Sequence, residues 1–134
     1  MTPPDIILAT PGSSVDLEHQ LFICALEVQK NLGPESPENA CRDCLAFELE
    51  RRHIPFSFHA ELMNRSGTEE SPSGFRVDFL LENRIIVEVR SRPTLPTLLQ
   101  EQYRSYLRLS GLPLAIVINF QAPDPRNLFT RITR

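Results

Sequence analysis

Apolar residues recur along this chain at two different periods, and the changes between them mark out its elements. Over residues 15–32 the apolar side chains keep helical spacing, with Leu17, Leu21, Ala25, Val28 and Leu32 on one stripe and Ser13 or Ser14 placed to cap it. Gly33-Pro34 ends that helix. Ser36 as a cap and Pro37 in the first turn open a second helix over 37–52, with Ala40, Cys44, Leu45 and Leu49 toward the core. The period then drops to two. Residues 55–63 put Phe56, Phe58, Ala60 and Leu62 on one side of a strand, and a polar, turn-rich loop fills 64–74. Strands over 75–81 and 85–90 follow, joined by Glu82-Asn83-Arg84. A proline-bearing loop leads to a third helix over 97–110, ended by Gly111, and the apolar run 112–120 reads as a buried strand. The C-terminal tail adds a short edge strand.

The order α-α-β-β-β-α-β predicts an α/β fold with a mixed four- or five-stranded sheet flanked by helices. A meander of three strands is followed by a helical crossover, which sets strand 112–120 parallel to one strand of the hairpin. Residues 1–13 hold three prolines and a glycine and read as a flexible tail, leaving 14–134 as a single domain.

The hairpin carries the candidate chemistry. Closed antiparallel about Asn83, it sets residue 81 opposite 85 and 78 opposite 88. Val77, Phe79 and Leu81 then share a face with Ile85, Val87 and Val89, while Asp78, Glu88 and Arg90 share the other. A slip of one residue would set polar against apolar, so the pattern selects its own register. Asp78 and Glu88 become cross-strand neighbours with Cβ atoms roughly 5 Å apart, which demands compensation from Arg90 or from a divalent cation.

Composition narrows the reading. No apolar run approaches the roughly 20 residues that span a bilayer, and the N-terminus lacks the basic start and long apolar stretch of a signal peptide, so no membrane association and a cytoplasmic location are expected. Cys24, Cys41 and Cys44 fall in helical segments. Cys41-x-x-Cys44 has no second ligand pair, and both residues suit a helix core. The net charge of −3 argues against a protein that coats nucleic acid. Its distribution is uneven: residues 1–75 balance to −7 and residues 76–134 to +4. All nine basic residues of the second part are arginine, which suits phosphate contacts; Lys30 is the only lysine, so codon bias explains the choice equally well.

Val77-Asp78, then Glu88-Val89-Arg90, resembles the signature of the PD-(D/E)XK nuclease superfamily, and Gln102-x-x-x-Tyr106 resembles the QxxxY motif of RecB-like members. From residue 17 onward the chain is similar to the bacterial GxxExxY protein family. The matching stretches include 25–28, 31–34, 54–56, 75–89, 106–111 and 117–120. The chain departs from that family at its name motif, where Glu35, Glu38 and Cys41 stand and only the central Glu38 agrees. It departs again at Arg90, in the usual place of lysine, and at Gln29, in the place of a histidine.

The resemblance implies a restriction-endonuclease-like core and a Mg²⁺-dependent phosphodiesterase acting on DNA or RNA, with Mn²⁺ as a substitute. Asp78 and Glu88 would hold the metal, with the Val89 carbonyl and Glu38 adding ligands, and Glu27 as a further candidate from the first helix. Gln102 would orient the nucleophile or the phosphate, and Tyr106 would steady the helix face. Arginine stays protonated, so Arg90 would stabilise the transition state rather than help activate water. Two alternatives stand beside this. Arg90 neutralises Asp78 and Glu88 as an ion pair in a catalytically inactive module that binds nucleic acid or a protein; or the chain is a homodimer joined through edge strand 127–133. Glu27 and Glu38 also read simply as solvated helix residues, Tyr106 as core, and His19, His53 and His59 as surface residues.

Overall fold

The computed structural model describes residues 13–33, 35–62, 74–122 and 124–134. The tail expected over 1–13 and the loop expected over 64–74 lie outside these, apart from Ser13 and Gly74. Nine elements follow in order: α1 (Ser14–Asn31), α2 (Glu38–Arg51), β1 (Phe56–Leu62), β2 (Phe75–Leu81), β3 (Ile85–Arg90), α3 (Leu99–Ser110), β4 (Leu114–Asn119), a 3₁₀ turn at Pro125–Asn127 and β5 (Phe129–Thr133). Ser13 caps α1, its hydroxyl accepting from the Asp16 amide at 3.0 Å. Gly111, at φ 78°, ends α3 in the left-handed conformation that glycine tolerates best. At α2 the expectation fails. Pro37 is the N-cap and makes no side-chain capping bond, and the Ser36 hydroxyl donates to the Gly33 carbonyl instead.

The strands form one mixed sheet in the order β1-β2-β3-β4-β5. β1, β2 and β3 pair antiparallel, β4 lies parallel to β3, and β5 pairs antiparallel with β4. The helices α1 and α2 cover one face, packing Leu17, Leu21, Leu45 and Leu49 against Phe79, Leu81, Ile85, Val87, Ile116 and Ile118. The helix α3 covers the other, packing Leu99, Tyr103 and Leu107 against Leu80, Ile86, Ala115 and Val117. Every residue of β4 is buried, as expected of a strand covered on both sides. On α2, Cys41 rather than Ala40 faces the core, and His19 of α1 is buried rather than exposed.

One expectation about faces is overturned. Phe79 and Leu81 pack under α1 and α2, but Val77 packs on the α3 side with Leu80 and Ile86. The period-two alternation of β2 therefore breaks at Asp78. The neighbouring strand breaks with it: Phe56 packs on the α1–α2 side while Ala60 and Leu62 pack on the α3 side. His59, which the register sets opposite Asp78, takes a left-handed φ of 54°. Both strands turn over at one level of the sheet, and that level is where the acids lie.

Candidate functional site

The register of the hairpin is the expected one, Leu81 opposite Ile85 and Phe79 opposite Val87, and the paired ladder ends there. Beyond it the acids take over the role of the backbone. The Asp78 amide donates to Glu88 Oε2 at 3.2 Å, and the Val89 amide donates to Asp78 Oδ2 at 2.8 Å. Each carboxylate thus satisfies a backbone donor of the opposite strand that the interrupted ladder leaves without a carbonyl. Glu88 is 5% exposed, and Asp78 is more open.

Arg90 turns into this gap. Its Nη1 donates to the Val89 carbonyl at 2.8 Å and lies 3.6 Å from both Asp78 Oδ2 and Glu88 Oε2. Its Nη2 donates to the hydroxyl of Tyr103 at 2.8 Å. Tyr103 belongs to the α3 stripe of Leu99, Tyr103 and Leu107, a spacing that reads as plain core from sequence. It is fully buried, and a buried phenol needs a partner for its oxygen. That need was the one available sign that Tyr103 belongs to the site.

The helix α2 closes the cluster from the opposite face of the sheet. Arg42 Nε lies 3.2 Å from Asp78 Oδ1, off the line of a good hydrogen bond, so the contact is an ion pair. Arg42 also reaches Glu38 one turn earlier, at 3.5 Å. Glu38 Oε1 accepts from the Ser91 amide and from Arg92 Nε, both at 3.1 Å, and the Ser91 hydroxyl donates to the Ser36 carbonyl at 2.8 Å. The N-terminus of α2 is thereby pinned to the end of β3. From β4, Asn119 holds the same segment: its Oδ1 accepts from the Arg92 amide at 3.0 Å and its Nδ2 donates to the Arg92 carbonyl at 2.9 Å. The cluster lies at the carboxyl ends of the parallel pair β3 and β4, the usual side for ligands in such sheets.

Burial raises the Glu88 carboxyl to about 8, and the adjacent Asp78 carboxyl pushes the same way, against the opposing pull of Arg90. Burial also pushes the Tyr103 phenol well above its ordinary range. For Arg90, burial disfavours the charge, but Tyr103, Glu88 and Asp78 outweigh it and hold the guanidinium protonated.

The structure brings together Asp78, Glu88, Val89, Arg90 and Glu38. Gln102 and Tyr106 stand apart from them: Gln102 is exposed and donates to the Tyr106 hydroxyl at 3.0 Å, while Tyr106 stacks on Phe75 at 4.2 Å and meets Tyr103 edge-on at 5.4 Å. Glu27 makes no hydrogen bond or ion pair with the cluster among the described residues. Most of the arginines of the C-terminal part are engaged by acids of the chain. Arg76, Arg84, Arg104, Arg126 and Arg131 each pair with a nearby acid, namely Glu61, Glu82, Glu101, Asp124 and Glu18. On β5, Ile132 is buried and Phe129 packs edge-on against Phe22, so these apolar side chains are used within the chain.

A divalent cation requires oxygen ligands that converge without competition. Here three oxygens do converge, those of Asp78, Glu88 and Val89, but the point they share holds Arg90 Nη1. Glu38 is committed to Ser91, Arg92 and Arg42. Among the described residues no three His, Cys, Asp or Glu side chains are grouped to hold a metal. In this arrangement the residues do not fit the ion.

A family model described as the PD-(D/E)XK nuclease superfamily matches residues 15–132, nearly the whole chain. No curated protein and no solved structure matches it significantly. Among the described residues no helix is long and apolar enough to cross a membrane.

Proposed function

The chain belongs to the PD-(D/E)XK nuclease superfamily, with its restriction-endonuclease-like fold, and on that premise we propose that it binds nucleic acid without hydrolysing it. The observation that carries this reading is the guanidinium of Arg90 at the one point shared by Asp78, Glu88 and Val89. A partly buried arginine beside two acids supplies the compensating charge that a metal would otherwise bring. Binding falls to the rim of the cluster. Arg92 is half-exposed and held by Glu38, and a phosphate offers a guanidinium the same planar pair of oxygens as a carboxylate. A nucleic-acid phosphate can therefore take the place of Glu38 on Arg92. The GxxExxY affiliation and a cytoplasmic location go with this reading, supported by the ordered sequence motifs.

Fluorescence anisotropy with single-stranded, duplex and branched oligonucleotides tests it, run beside a cleavage assay in Mg²⁺ and Mn²⁺. Salt-dependent binding that weakens in Arg92→Ala, with no cleavage, is the expected result. Flat anisotropy across all three substrates would turn the reading toward a protein partner.

A second reading is favoured by the same convergence of oxygens: a Mg²⁺-dependent phosphodiesterase with Asp78, Glu88, the Val89 carbonyl and Glu38 around the ion, and Gln102 near the nucleophile. It requires Arg90 to leave the gap, Glu38 to release Ser91 and Arg92, and Gln102 to leave Tyr106. Cleavage that disappears in Asp78→Ala decides for it.

A further inference from the structure

We infer that Arg90 and Tyr103 together act as a built-in cation of the carboxylate cluster, with Arg90 excluding divalent metal and Tyr103 as the positioning residue that keeps it there. This rests on the closed-site reading above and names the residues that do the closing. The guanidinium has two jobs on two nitrogens. Nη1 faces the Val89 carbonyl at 2.8 Å and the two carboxylates at 3.6 Å, while Nη2 is fastened to the Tyr103 hydroxyl at 2.8 Å. The distances to the carboxylates are too long for hydrogen bonds, so the acids alone do not fix the guanidinium. The two short bonds, to Val89 and Tyr103, do. Tyr103 is itself fully buried and packed edge-on against Tyr106, which stacks on Phe75. A lysine at this position has no planar fork with which to present one nitrogen to the gap and a second to the phenol. Arginine at position 90 and tyrosine at 103 therefore form one device.

Manganese titration by calorimetry, with no nucleic acid present, tests this directly. The expected order has the wild type without saturable binding in the low-millimolar range, and Arg90→Lys and Arg90→Ala each taking up one equivalent, roughly tenfold or more tighter. Tyr103→Phe falls between, and Asp78→Asn in the Arg90→Lys background abolishes the gain. Circular dichroism establishes which variants are folded, and Arg90→Lys carries the test should Arg90→Ala fail to fold. Equal Mn²⁺ binding by wild type and Arg90→Lys, or none by a folded Arg90→Lys, overturns the exclusion role. Tyr103→Phe indistinguishable from wild type, while Arg90→Lys binds, overturns the part given to Tyr103. Oligonucleotide binding or cleavage by the wild type is read separately, so a failure there does not imitate a failure here.

Discussion

Asp78 and Glu88 exchange hydrogen bonds across the point where their strands part: the Asp78 amide donates to Glu88, and Asp78 in turn accepts from the amide beside Glu88. The acids are held by the backbone they hold, so a change at either one is felt in the fold as well as in the chemistry.

Glu88 makes stability depend on pH. Its carboxyl stands at about 8 in the folded chain against an ordinary 4.5, so between these values the folded state keeps a proton that the unfolded state releases. Stability from this group is present in full below about 4.5 and is lost as pH rises through about 8, a loss on the order of a few kcal/mol. Glu88→Gln imitates the protonated side chain and should flatten the profile. Urea melts from pH 5 to 9 compare the two, and parallel profiles would exclude a proton held by Glu88.

Asp78→Ala strands the Val89 amide, Arg42 and Arg90 together and is expected to cost about 3 kcal/mol. Asp78→Asn keeps an acceptor for Val89 and should cost clearly less. Equilibrium denaturation distinguishes them; equal and small losses would mean that the bonds to Asp78 carry no weight.

Asn119→Ala removes both bonds to the Arg92 backbone from a site that is buried. A loss of about 2 kcal/mol is expected, with faster amide exchange at Arg92 than at residues of β4. Unchanged exchange at Arg92 would show that the segment is held elsewhere.

His59 is the place where an added glycine should help. At φ 54° on an exposed strand, His59→Gly relieves backbone strain of about 1 kcal/mol, set against the lost stacking on Phe58. His59→Val, β-branched, should destabilise by roughly 1–2 kcal/mol. Thermal melts in which valine proved the better tolerated of the two would contradict a left-handed residue at this level.

The sequence made the hairpin, its register and the parallel crossover legible because each depends on local pattern: alternation, a turn, and one helix between two strands. Its pairing of Asp78 with Glu88 and Arg90 was legible for the same reason. The face switch at Asp78 was not, since alternation assumes an unbroken ladder and the acids themselves break it. Arg42 pairs with Glu38 one turn before it, and nothing in the helix pattern announces that it also reaches Asp78. Tyr103 was hidden by its own burial, because a core stripe accounts for its position without regard to its hydroxyl. Gln102, chosen by motif, bonds to Tyr106 instead of the cluster.

The ties between α2 and the end of β3 join residues 53 and 55 positions apart, Glu38 with Ser91 and Ser36 with Ser91. Contacts of that span form late, after local hairpins and helices, because the intervening chain must first be ordered. Until α2 docks, the young hairpin must carry two facing acids with only Arg90 between them. Arg42 arrives with the helix, so the docking of α2 also brings a second cation to the two acids. A chain that fails to complete this step keeps an unsealed β2–β3 gap, and because these contacts come late, substitutions at Arg42 and Glu38 should speed unfolding and leave the refolding rate nearly unchanged.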